Sequence, residues 1–124
     1  MQKVFRLILV AGSIALLSAA ARRHNHLVRS SPGNGQSVAH PPTELHLWFA
    51  ERPEIPFTSV ALIGPDSSKL AVGNATPGRD SLEVVAPLKV MLAPGRYTAT
   101  WRTASQDGHA ARGSFDFTIV GGGR

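Results

Sequence analysis

Arg96-Tyr97-Thr98-Ala99-Thr100-Trp101-Arg102 is the stretch that decides how this 124-residue chain folds. Tyr97, Ala99 and Trp101 alternate with Arg96, Thr98, Thr100 and Arg102, a period of two that sends the apolar side chains to one face of an extended strand. The pattern recurs on both sides. Leu45, Leu47 and Phe49 interleave with Glu44, His46 and Trp48, and Phe115, Phe117 and Ile119 interleave with Ser114, Asp116 and Thr118. Turn-forming pairs and clusters separate these runs: Ser31-Pro32-Gly33-Asn34-Gly35, Pro41-Pro42, Arg52-Pro53, Gly64-Pro65-Asp66, Pro77-Gly78, Pro94-Gly95 and Asp107-Gly108. Short alternating runs between such breaks spell strands with one buried face.

Further strands are expected at His26–Ser30, Ser59–Ile63, Lys69–Val72 and Ser81–Val85, about seven in all. No window sustains apolar residues at helical spacing, so little helix is expected. The predicted fold is all-β, an immunoglobulin-like Greek-key β-sandwich or barrel of about seven strands. Tyr97 follows the Pro94-Gly95 turn at a strand start. That position suits either a tyrosine tying a loop to the sandwich or an ordinary half-buried strand tyrosine.

The amino-terminal segment has a different logic. Lys3 and Arg6 precede an apolar run from Leu7 to Leu17 and the small residues Ser18-Ala19-Ala20-Ala21, the layout of an export signal. The run is shorter than the ~20 residues that span a bilayer. Residues 1–21 are therefore read as a signal peptide, 22–120 as one folded domain, and 121–124 as a frayed tail, since Gly121-Gly122-Gly123-Arg124 has nothing to bury.

The chain carries a formal net charge of +5, but two of its basic residues lie in the signal, leaving 11 basic against 8 acidic residues over 22–124. These are scattered, so no nucleic-acid partner is expected. There is no cysteine, so an exported domain must be held by its apolar core, and thiolate metal ligands are excluded. No Ser-His-Asp arrangement, phosphate-cradling glycine loop or carboxylate pair points to hydrolysis or phosphoryl transfer.

Five histidines follow the signal: His24, His26, His40, His46 and His109. His24 and His26 stand close to the expected cleavage point, where a free α-amine and an imidazole on one residue would chelate Cu(II), which prefers tetragonal nitrogen and oxygen donors. A disordered polar terminus is the plain alternative. Asp107-Gly108-His109 lies between the Trp101 and Phe115 strands. Residues two apart in extended backbone share a side, so a carboxylate and an imidazole reach one point while Gly108 lets the chain turn. A hydrogen-bonded turn without metal uses the same triplet.

Several ordered motifs together resemble the CopC family of periplasmic copper-binding proteins. They are His24-Asn25-His26-Leu27-Val28-Arg29-Ser30-Ser31-Pro32 with Gly35, Leu45-His46-Leu47-Trp48-Phe49-Ala50-Glu51, Leu92-Ala93-Pro94-Gly95-Arg96-Tyr97 with Trp101-Arg102, Ser105-Gln106-Asp107-Gly108-His109, and Arg112-Gly113-Ser114-Phe115-Asp116-Phe117. The resemblance covers nearly all of the chain after the signal. It implies one Cu(II) ion held by His24 through ring and amine, by Asp107 and by His109, with Glu51 at the site and His26 as an extra or substitute ligand. His40 and His46 match no ligand position, and His46 is expected to face solvent.

The resemblance further implies a periplasmic, non-enzymatic protein that sequesters copper or carries it to an inner-membrane copper transport protein, and a monomer is the default expectation. Two departures matter. Family members with a separate Cu(I) site are rich in methionine, whereas this chain has only Met1 and Met91, so no such site is expected. Arg22 and Arg23 also stand between Ala21 and His24, so a cut after Ala21 would displace the amine from the histidine. Two other functions compete with the carrier: an immunoglobulin-like interaction module whose His and Asp residues are incidental, and a histidine-brace copper monooxygenase.

Overall fold

The computed structural model describes residues 25–121; the signal read over 1–21, His24 and the last three residues lie outside them. The described chain forms nine strands: β1 Leu27–Ser31, β2 Gln36–Val38, β3 Glu44–Phe49, β4 Ser59–Ile63, β5 Lys69–Leu70, β6 Thr76–Pro77, β7 Glu83–Pro87, β8 Gly95–Ala104 and β9 Ala110–Ile119. They make a four-stranded sheet in the order β1-β3-β7-β6 and a five-stranded sheet in the order β2-β9-β8-β4-β5. All seven expected strands are present, the Ser81–Val85 one moved to Glu83–Pro87. The two extra strands, β2 and β6, have three and two residues, too few to show a period. Both exist because a partner is there to pair with: β2 runs parallel to the end of β9 and β6 antiparallel to β7.

Alternation along β3, β7, β8 and β9 builds the core. Leu45, Leu47 and Phe49 with Val84 and Ala86 face Tyr97, Ala99, Trp101, Phe115, Phe117 and Ile119 across the gap, all buried. The aromatic rings interlock. Phe49 meets Trp101 edge to face at 5.1 Å, and Tyr97 stacks on Phe117 at 5.5 Å. The Trp101 indole lies over Gly113, where a Cβ would come within 2.5 Å of the ring, so only glycine fits opposite this tryptophan. The tyrosine question is also resolved. The Tyr97 hydroxyl donates to the Ala93 carbonyl at 2.6 Å, tying the Leu92–Pro94 loop to β8.

The outer face of the four-stranded sheet holds a polar clamp that the alternation did not reveal. His46 does point outward, but it is half-buried: Nδ1 lies 2.7 Å from Glu83 Oε1 and Nε2 lies 2.9 Å from Glu44 Oε1. A carboxylate accepts, so each ring nitrogen donates to it when it carries a proton. The ring stacks on Trp48, whose indole in turn carries the Arg29 guanidinium 3.8 Å from its centroid. Glu83 is buried, packs against Gly78, and also accepts the Arg79 N–H at 2.9 Å.

Two outcomes follow from this packing. Phe117→Ala removes a ring that is 1% exposed, which should cost ~3–5 kcal/mol; urea denaturation should show a large share of a typical domain's stability, about 5–15 kcal/mol, gone. The His46 hydrogen bond holds the Glu83 carboxyl below its ordinary value of 4.5. A carboxyl lowered on folding contributes stability above its unfolded pKa and loses it as pH falls through the folded one. Stability measured at descending pH from 6 should therefore drop below about pH 4.5, and the drop should be shallower in Glu83→Gln.

Candidate metal centre

Strands β8 and β9 stay paired over ten residues, from Gly95↔Ile119 to Ala104↔Ala110, and the loop they hold out contains the Asp-Gly-His triplet. Its backbone is closed by the Gly108 N–H on the Ser105 carbonyl at 2.9 Å and the Ser105 N–H on the His109 carbonyl at 3.2 Å. Gly108 sits at φ +84°, a conformation that side chains disfavour, so glycine is required for the turn. Asp107 organises the rest. Its Oδ1 accepts the Ser105 hydroxyl at 2.6 Å and the His109 N–H at 3.1 Å, while its Oδ2 lies 2.9 Å from His109 Nδ1.

These bonds hold the Asp107 carboxyl well below the usual carboxylate range, with the Ser105 hydroxyl the largest cause and His109 next. In return the Asp107 carboxylate raises His109 above its ordinary value. Both side chains are exposed. With Nδ1 turned to the carboxylate, the ring is oriented by Asp107, the arrangement by which a carboxylate fixes the tautomer and orientation of a metal-binding histidine. Carboxylate and imidazole are hard to borderline donors, unlike the soft thiolate and thioether ligands.

The remaining candidates lie at the other side of this corner. Glu51 follows β3 in an exposed loop whose backbone is gripped by the buried side chain of Asn25: Asn25 Nδ2 donates to the Glu51 carbonyl at 3.0 Å, and Asn25 Oδ1 accepts the Glu51 N–H at 2.8 Å. Asn25 Oδ1 also takes the His26 N–H, and the His26 carbonyl takes the Ala50 N–H at 2.9 Å. The Glu54 N–H then reaches the Ala104 carbonyl at 2.8 Å, so the loop after β3 is tied to the last residue of β8. A series of hydrogen bonds, from the Asn25 side chain and then between backbone groups, thus runs from the start of the described chain, past Glu51, to the base of the Asp107 loop.

Asp107 and His109 are brought together, and Glu51 and His26 are not added to them: among the described residues no three His, Cys, Asp or Glu side chains are grouped to hold a metal ion. His26 is exposed and lines a groove of about 590 Å³ between β1 and β9, with Trp101, Gly113 and Phe115. His40 is exposed beyond β2, and His46 belongs to the clamp on the outer sheet face. Met91 is almost fully exposed, with no second methionine among the described residues.

Asn25 is the positioning residue that the sequence did not single out. It was legible only as a polar residue between two histidines, since an amide buried against a loop 26 residues away is a product of the folded register. Asn25→Ala should cost ~1–3 kcal/mol by leaving the Glu51 backbone groups without their partners. Hydrogen exchange should report the same defect as faster exchange at the Glu51 amide.

A disulfide-free two-sheet sandwich that displays an aspartate–imidazole pair on its longest hairpin is the frame of a small metal-binding β domain. Residues 27–120 match the CopC domain, and the chain belongs to the CopC family. It is 28% identical over 106 residues to Protein YobA of Escherichia coli K12, covering 85% of this chain and 86% of that one. It is 32% identical over 111 residues to Copper resistance protein C of Pseudomonas syringae pv. tomato, covering 84% and 86%. The crystal structure of CopC from Methylosinus trichosporium OB3b superposes with a TM-score of 0.74 at 26% identity, over 82% of this chain and 98% of the other.

Proposed function

We propose that this protein binds one Cu(II) ion and serves as a copper carrier or buffer in copper resistance or homeostasis, with no catalytic step. The observation that carries the reading is the Asp107–His109 pair, a charged carboxylate and an oriented imidazole on one loop at the end of the sandwich. Membership in the CopC family and likeness to a copper resistance protein support the choice of copper.

In this reading the two loop donors are completed by His24. It is the residue before Asn25, whose side chain is held by the Glu51 backbone. Glu51 and His26 stand as further donors. The absence of cysteine and the scarcity of methionine agree with Cu(II) rather than Cu(I) as cargo. Residues 1–21 act as the export signal and place the domain in the periplasm, where it works as a monomer and passes copper to an inner-membrane copper transport protein. No helix among the described residues is long and apolar enough to cross a membrane.

Calorimetric titration of the processed protein with Cu(II) should give one site per chain. His109→Ala should weaken it by more than the roughly 10–100-fold that loss of an outer-shell partner costs, and binding should weaken on acidification as the imidazoles take up protons. Undiminished affinity in His109→Ala would sink the assignment. Electron paramagnetic resonance of the loaded protein counts equatorial nitrogens: an amine and two imidazoles if His24 is the first residue, two imidazoles if Arg22 and Arg23 precede it.

A further inference from the structure

The outer face of the five-stranded sheet carries an arginine pair that the copper reading does not use. Arg102 and Arg112 are exposed and directly opposite one another on β8 and β9, two register positions from the hairpin end at Ala104↔Ala110. Ser59 of β4 completes the row beside Arg102. Among the described residues neither guanidinium is within ion-pair distance of a carboxylate; Glu54, bonded through its backbone to Ala104, pairs with neither.

The far end of the same two strands is built differently. There Arg96 lies 2.8 Å from Asp116, whose other oxygen accepts the Thr98 hydroxyl. Like charges directly opposite on a sheet are destabilising, so the Arg102–Arg112 pair carries a cost that no carboxylate among the described residues offsets. Its neighbours on the adjoining row, Thr100 and Ser114, are small and polar, leaving both planar guanidinium groups accessible.

We propose that Arg102 and Arg112 form a docking surface for a partner protein bearing a carboxylate-rich segment, so that the Asp107–His109 loop at the same end faces that partner. Two guanidinium groups side by side match two carboxylates, each able to accept a bidentate pair of hydrogen bonds. An anionic membrane is the lesser fit, because lipid surfaces recruit clusters of roughly four to eight basic residues. The role of the partner in receiving or supplying copper rests on the proposed function; the contact itself does not.

The test is an amide NMR titration of the metal-free processed protein with a hexaglutamate peptide at low salt. Shifts should concentrate at Ser59, Thr100, Arg102, Arg112 and Ser114, and the double variant Arg102→Glu/Arg112→Glu should bind about tenfold more weakly or worse. Arg96→Gln should leave the affinity unchanged, because that guanidinium is already occupied. Equal weakening by Arg96→Gln would overturn the proposal, as would tighter binding through Arg102 and Arg112 to vesicles of equimolar phosphatidylserine and phosphatidylcholine. Arg112→Thr should raise the thermal midpoint by roughly 1–5 °C; a fall would remove the premise of an uncompensated pair. Since no metal is present, failure of peptide binding leaves the copper titration standing, and failure of copper binding leaves the docking result standing.

Discussion

With no cysteine in the sequence, the two sheets are held together chiefly by apolar contact, centred on the aromatic residues Phe49, Tyr97, Trp101, Phe115 and Phe117. Fully burying one such side chain contributes ~1.5–3 kcal/mol, so a handful of them is comparable to the net stability of a whole domain. Everything that matters at the metal end is carried by the same strands. β8 and β9 bury alternate residues from Tyr97 to Trp101 and from Phe115 to Ile119, and their pairing continues to Ala104↔Ala110. The loop is therefore mounted on the two longest and most extensively paired strands described.

A metal carrier has to hold donors ready without closing around them, and the loop shows how that is done with short-range chemistry. Ser105 is buried and donates to Asp107, Asp107 orients His109, and Gly108 supplies the left-handed turn that lets both side chains emerge together. The same bonds that place the pair also keep the carboxylate charged. Both rings of contact are local, spanning five residues, whereas the opposite side of the corner is organised by long-range bonds from Asn25 to Glu51 and from Glu54 to Ala104.

The two outer faces divide their charge unevenly. On the four-stranded sheet, His46 is flanked by Glu44 and Glu83, and Arg29 is laid over Trp48, so each charged group there has a partner. On the five-stranded sheet, Arg96 is matched by Asp116 at one end while Arg102 and Arg112 face each other at the end that carries the cargo loop. A fold optimised for its own stability would not keep that second arrangement, and proteins commonly retain such locally unfavourable features where function needs them.

The strands, their inward residues and the local Asp107–His109 turn were legible from residue order, because period-two alternation and i to i+2 hydrogen bonding depend only on near neighbours. Motif likeness also named the family before any coordinates. What alternation does not contain is pairing across the sheet. It predicted His46 as solvent-facing and had no means of showing Glu83 beside it, placed a strand two residues early, and missed β2 and β6, whose pairing comes from β9 and β7. The burial of Asn25 against Glu51 and the opposition of Arg102 and Arg112 likewise arise from register between segments distant in sequence, and register is set only when the whole apolar face is packed.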